Sequence, residues 1–296
     1  MRRVALLFTA LLAMVSASYA QGNPDGAPYL GQPSPGRVPS IFAPGVISKG
    51  NIHSRLVISP DGGSMFWNTF NMDAGTTQIL CVTNMDGKWT GPQPPSFAKD
   101  GNTQAPMFSP DGKKLFFRIE TAKGWATKYV EWTAAGWSAP RDKGILLKCG
   151  SSFTRSGQAY FSSEMKTKIW STGIFSARLS GEGYSDPRPL DKSINVPNAI
   201  DYTPFVSPDE SFLLFSSNRP LTGDKEDMHI YVSFNLGNGA WSVPVRVFDT
   251  PGRFPSISPD EKVLFFCGED CNIYWVDAPV IESFRPVSIL SHFIPG

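Results

Sequence analysis

One short turn recurs along this chain at near-constant spacing. Ser59-Pro60-Asp61-Gly62, Ser109-Pro110-Asp111-Gly112, Ser207-Pro208-Asp209-Glu210 and Ser258-Pro259-Asp260-Glu261 are four copies, and Thr154-Arg155-Ser156-Gly157 is a degenerate fifth. Successive copies start 50, 45, 53 and 51 residues apart. Such a period marks an array of like units, each able to hide its apolar face only against its neighbours. The turn has a local cause: proline fixes φ at the second position, aspartate accepts backbone N–H groups, and glycine permits positive φ. The repeated aspartates are therefore read as turn formers.

Each turn is followed by a short β-rich run: Met65-Phe66-Trp67, Leu115-Phe116-Phe117, Ala159-Tyr160-Phe161, Phe212 to Phe215 and Val263 to Phe266. A second extended run follows in every unit, for example His229-Ile230-Tyr231-Val232. An aromatic-polar-x-Pro tag closes the first four units: Trp89-Thr90-Gly91-Pro92, Trp137-Ser138-Ala139-Pro140, Tyr184-Ser185-Asp186-Pro187 and Trp241-Ser242-Val243-Pro244. Proline belongs on an edge strand, where its missing N–H costs least. One unit is thus strand A, the turn, strand B, a loop, strand C and an edge strand D. Four strands per period is a propeller blade. The chain is predicted to be an all-β propeller of five four-stranded blades, with six as the alternative.

The repeats resemble the WD40-like, Pro-Asp type propeller repeats of the TolB-like family over roughly residues 41 to 277. The stretch that carries the resemblance best is Tyr202 to Asp209, then Leu214-Phe215-Ser216-Ser217-Asn218-Arg219-Pro220, then Asp227 to Ser233. The resemblance implies an exported bacterial propeller and leaves its role open, because members of the family include binding platforms and fused recognition modules.

Arg2 and Arg3, an apolar run from Val4 to Val15 and the small residues of Ser18-Tyr19-Ala20 read as a secretory signal peptide over residues 1–20. Residues 21–40 form a Pro/Gly-rich arm, 41–280 the propeller and 281–296 a tail. Residues 41 to 48 are expected to complete the last blade and close the ring, since an open ring would leave a free sheet edge. No cysteine follows the cleavage point to accept a lipid, and no later segment has eighteen consecutive apolar residues, so a periplasmic or secreted monomer without membrane insertion is expected. Cleavage would leave 25 of the 27 basic side chains against 26 acidic ones. That balance lacks the basic stripe that nucleic acid requires.

Topology then selects candidate contacts. The D–A and B–C connections emerge opposite the A–B turn, so the residues six and five before each turn sample one channel mouth. From these, His53, Gln104, Asp201, Tyr202 and Arg253 are the expected ligand contacts, with Arg118, Glu164, Arg219 and Glu269 on a secondary rim. Arg219 and Asp227 are expected to form an ion pair bracing a B–C loop. The exposed-looking Trp89, Trp137 and Trp241 are expected to pack between blades. Cys267 and Cys271, four apart, are expected to bridge a hairpin, while Cys81 and Cys149 remain open between a second bridge and buried thiols. The favoured function is non-catalytic binding or scaffolding of a protein or glycan partner outside the cytoplasm. The alternative is a glycan-active hydrolase using Asp201 with Glu164 or Glu269. The chain has no Gly-x-Ser-x-Gly, His-Glu-x-x-His or phosphate-cradling sequence, so neither a cofactor nor a metal is expected.

Overall fold

A computed structural model describes residues 28–52, 54–142, 150–165, 172–180, 183–185, 187–197, 199–219 and 227–287. The leader, the first part of the arm, His53, Cys149 and residues 288–296 fall outside them. Five antiparallel sheets form a ring, one per repeat. Blade 1 holds Val57–Ile58, Ser64–Asn71, Thr76–Met85 and Lys88–Trp89 as strands A to D. Blade 2 holds Thr103–Phe108, Lys114–Thr121 and Gly124–Thr133, with Gly136–Trp137 and Arg141–Asp142 sharing the edge. Blade 3 runs through Ser152–Phe153, Gln158–Glu164 and Thr172–Ser180, edged by Gly183–Tyr184 and Arg188–Pro189. Blade 4 comprises Asp201–Val206, Phe212–Ser217 and His229–Gly237, edged by Ala240–Trp241 and Val245–Arg246. Blade 5 has Gly252–Ile257, Val263–Gly268 and Ile273–Asp277 as A to C, and takes its edge from Ser40–Ile41.

The ring closes where the sequence places the closure. Ser40 pairs with Trp275 and Ile41 with Tyr274. Phe42 N donates to Ile273 O at 2.8 Å, and the Ser48 hydroxyl both donates to Ile273 O and accepts from Ile273 N. Behind this edge, Phe42 packs on Phe265 and Trp275 with ring centroids 5.2 and 4.9 Å apart. The end of the last blade continues as a 3-10 helix, Ala278–Phe284, whose Ala278 and Ile281 join the core between blades 4 and 5.

The edge tags explain themselves. Each proline interrupts the D strand, and the residue after the aromatic fills the gap with its hydroxyl: Thr90, Ser138, Ser185 and Ser242 accept from the amides of Thr83, Glu131, Arg178 and Phe234 at 2.8 to 3.1 Å. A buried amide left unpaired would cost about 1–3 kcal/mol, so the polar residue is fixed by the proline that follows it. Trp137 and Trp241 turn inward, as expected. Trp137 meets Phe66 and Phe97 of blade 1, and Trp241 meets Tyr160 of blade 3.

The repeated turn is a hydrogen-bond ring of its own. In blade 1 the Ser59 hydroxyl donates to Asp61 Oδ1 at 2.5 Å and accepts from Ser64 N, while Oδ1 also accepts from Gly63 N. Blades 2 and 5 repeat the pattern through Ser109 with Asp111 and Ser258 with Asp260. In the degenerate copy Ser156 stands in for aspartate, its hydroxyl 2.8 Å from that of Thr154. The fourth position keeps positive φ in all five copies, even where Glu210 (φ 64°) and Glu261 (φ 59°) replace glycine. Outside contacts offset that strain: Tyr160 donates to the Glu210 carboxylate, and Arg155 sits 3.8 Å from Glu261.

These bonds hold the turn carboxyls below the usual carboxylate range. The serine hydroxyl is the main cause at Asp61 and Asp111; at Asp209 and Asp260 burial pushes upward and is outweighed by bonds from Ser211 and Ser207, and from Ser258 and Tyr29. A depressed folded-state pKa gives stability that is complete above the unfolded value, about 3.9, and is lost as pH falls through the folded value. The urea midpoint is therefore expected to drop steeply below about pH 4. Asparagine at Asp61, Asp111 and Asp209 should flatten that drop. A midpoint equally steep in the triple variant would count against the turns as its source.

Candidate functional site

The A strands line the axis, and three of them bulge there. Register slips between Gln104 and Met107, Tyr202 and Phe205, and Arg253 and Ser256. Each slip contains a positive-φ residue followed by proline: Ala105 (φ 54°), Thr203 (52°) and Phe254 (57°). Gly150 (φ 73°) holds the same place in blade 3, four residues before the turn; there a Cβ would meet the Thr203 Cα at 2.9 Å, so glycine is required.

Blade 1 puts Arg55 at this position, and its side chain crosses the axis. Nε donates to Pro255 O at 2.8 Å, Nη1 to Ser151 O at 3.0 Å, and Nη2 to Pro204 O at 2.7 Å and Thr203 O at 3.2 Å. A single guanidinium thus collects carbonyls from blades 3, 4 and 5. Beside it remains a cavity of about 20 Å³ between Ser54, Met107, Ser151 and Phe254, which has room for about one water. Arg55 therefore divides the channel into two mouths.

At the B–C end the predicted contacts meet different fates. Asp201 is fully buried. Its Oδ1 accepts from Ser217 Oγ at 2.6 Å and Arg219 Nη2 at 2.8 Å, and its Oδ2 accepts from Val196 N at 3.2 Å. Arg219 pairs with Asp201, not with Asp227 as expected, because Asp201 opens strand A directly opposite Ser217, two residues before the arginine. The guanidinium also donates to Ile194 O and lies between the Phe215 and Tyr231 rings, 4.8 and 4.9 Å from their centroids. This assembly braces blade 3 against blade 4, and no oxygen of Asp201 is left to meet a sugar. Glu164 and Glu269 are exposed, and the Asp201 carboxylate that the hydrolase reading would use is taken up in this brace.

Gln104, Tyr202 and Arg253 are half-buried at this mouth; Tyr202 meets Phe254 edge-on at 6.0 Å, and Arg118 covers the Trp125 ring. The Cys267–Cys271 bridge is not formed. Cys267 points into the core with Sγ 3.6 Å from Ile52 O, whereas Cys271 lies past the turn at φ 57° with its thiol toward Glu269 O. Burial pushes the Cys267 thiol up to about 12 and the Cys81 thiol up to about 11, so both are inert thiols.

The opposite mouth, ringed by the A–B turns, opens into a basin of about 900 Å³. That volume lies at the upper end of the range for ligand pockets. Ile58, Phe108, Phe205 and Ile257, one from each of blades 1, 2, 4 and 5, give it a half-buried apolar floor. The wall is built from turn residues, including Asp111, Arg155, Asp209 and Glu261, and from Glu282 and Arg285 at the end of the 3-10 helix. Arg285 is itself held by both oxygens of Glu282, at 2.6 and 2.8 Å, over the Phe234 ring. The turn motif was visible in the sequence as a fold signal, and it is also what walls this basin. The residue just before each turn, apolar in all of Ile58, Phe108, Phe153, Val206 and Ile257, was the available clue to its floor.

No protein-family model and no curated protein matches the chain. Among solved structures it is similar to TolB from Acinetobacter baumannii, at 18% identity and a TM-score of 0.42, over 69% of this chain and 47% of that one. It is similar to a gluconolactonase from Xanthomonas campestris at 12% identity and a TM-score of 0.44, over 85% and 98% of the two chains. A puromycin hydrolase is similar at 15% identity and a TM-score of 0.40, over 86% of this chain and 41% of the hydrolase. The chain thus spans less than half the length of the TolB and hydrolase chains, and the likeness is one of fold.

Proposed function

We propose that this propeller is a non-catalytic binding module acting outside the cytoplasm, and that it seats a protein partner in the basin at the A–B end. The observation that carries this reading is the basin itself: about 900 Å³ of concave space over an apolar floor drawn from four blades. A protein suits it better than a glycan. The hydroxyls of Ser109, Ser207 and Ser258 and the Oδ1 atoms of Asp111 and Asp209 are already spent on the turns, leaving few of the aligned donors and acceptors that a sugar needs. The B–C mouth, with Gln104, Tyr202 and Arg253, is the competing seat.

The two seats separate by partner capture from exported extract. Ile58→Gln with Ile257→Gln should abolish capture, and Gln104→Ala with Arg253→Ala should leave it intact, provided both variants unfold at near wild-type temperature. The reverse pattern would move the seat to the B–C mouth and overturn the proposal.

A further inference from the structure

Resting on the basin as the binding seat, we infer that its occupant is an extended, cationic peptide segment that alternates apolar and basic side chains. The floor is apolar, and the wall is acidic in excess. Asp111, Asp209, Glu261 and Glu282 face only Arg155 and Arg285. Both arginines are already engaged, Arg155 with Glu261 and Arg285 with Glu282. The excess lies on Asp111 of blade 2 and Asp209 of blade 4, the latter also within the field of Arg285.

Both stay ionised for a structural reason, since the turn's hydrogen bonds hold their carboxyls below the usual carboxylate range. Oδ1 takes the turn's bonds, from Ser109 and Lys113 N in one case and from Ser211 N in the other. Asp209 also takes side-chain bonds from Ser211 and Ser207, whereas among the described residues no hydrogen bond falls on the Oδ2 of Asp111. Lys113 stands beside Asp111 as an exposed neighbour outside the wall. Two fixed negative charges above an apolar floor select against an acidic or wholly apolar ligand. In an extended segment alternate side chains point to opposite faces. Leucine-like residues would enter the floor between Ile58, Phe205 and Ile257, and lysine stems would rise along the wall to the carboxylates of Asp111 and Asp209.

The test uses the whole propeller and labelled peptides of about ten residues, roughly 33 Å when extended. Alternating Leu/Lys, Leu/Gln, Leu/Glu and Ser/Lys peptides would be titrated by fluorescence anisotropy. Leu/Lys is expected to bind about tenfold tighter than Leu/Glu or Ser/Lys at low salt, with the advantage over Leu/Glu shrinking as salt rises. Asp111→Asn with Asp209→Asn, which keeps the turn acceptors, should weaken Leu/Lys about fivefold and leave Leu/Gln unchanged. Equal binding of Leu/Lys, Leu/Gln and Leu/Glu, abolished by Ile58→Gln with Ile257→Gln, would overturn the cationic assignment while leaving the basin as the seat. Binding that survives the isoleucine changes would overturn the basin reading and this inference with it, and failure of every peptide to bind would overturn the inference.

Discussion

Replacing Arg55 with alanine is expected to lower the unfolding free energy by about 3–5 kcal/mol, with a fall in Tm of roughly 10 °C. Four carbonyl oxygens from three blades converge on its guanidinium. They do so because the bulges at Thr203 and Phe254 turn the local backbone toward the axis, and Gly150 does the same in blade 3. Deleting the side chain leaves these acceptors without their shared donor at the point where the two mouths meet. Each orphaned acceptor costs about 1–3 kcal/mol before water re-enters. Lysine at this position should recover less than half of the loss, since an ammonium lacks the planar fork that reaches three blades at once. Urea denaturation of the three proteins checks both statements. A loss under about 1 kcal/mol for alanine would mean that water replaces the guanidinium without penalty.

The second large effect is expected at Asp201. Alanine there should cost about 3–5 kcal/mol, because Arg219 would be left charged with only 11% of its side chain exposed and its best acceptor gone. Arg219→Ala strands the opposite charge. The double variant should cost clearly less than the two single losses together, by about 2 kcal/mol, the signature of two groups that act as a unit. Additive losses in the cycle would show that each side chain contributes through its other contacts alone. Enzymatic readings of Asp201 predict something different, a carboxamide variant that keeps its stability and loses turnover. With Ser217, Arg219 and Val196 N all bonded to this carboxylate, the stability effect is the one expected.

What the sequence made legible was local. The proline, the aspartate and the fourth-position residue of each turn act within four residues of one another, and their spacing alone gives blade number and strand order. The aromatic tags and the closing segment follow from the same logic, since prolines seek edges and a ring must hide its last edge. Partnerships across the axis were not legible. Arg55 occupies the repeat position of Gly150, Thr203 and Phe254, and only the bulged geometry reveals that an arginine there reaches three other blades. Asp227 looked like the partner of Arg219 because it is near in sequence, whereas strand pairing brings Asp201 nearer. The basin at the A–B end was hidden for a related reason. At the B–C end Asp201 and Arg219 pair with each other, and the turn residues set aside as scaffolding enclose a basin of about 900 Å³.

The edge strand supplied by Ser40–Ile41 has a consequence for how such a chain comes into being. Its partner, Trp275, lies 235 residues downstream. The earlier segment therefore waits, unpaired, until the later one emerges. Blades 1 to 4 can collapse on one another as they appear, while the joint that makes them a circle is the slowest contact to find. During that interval the waiting strand is exposed to any other unpaired edge, and a holdase that covers residues 40–48 would act at the most vulnerable moment of the protein's synthesis.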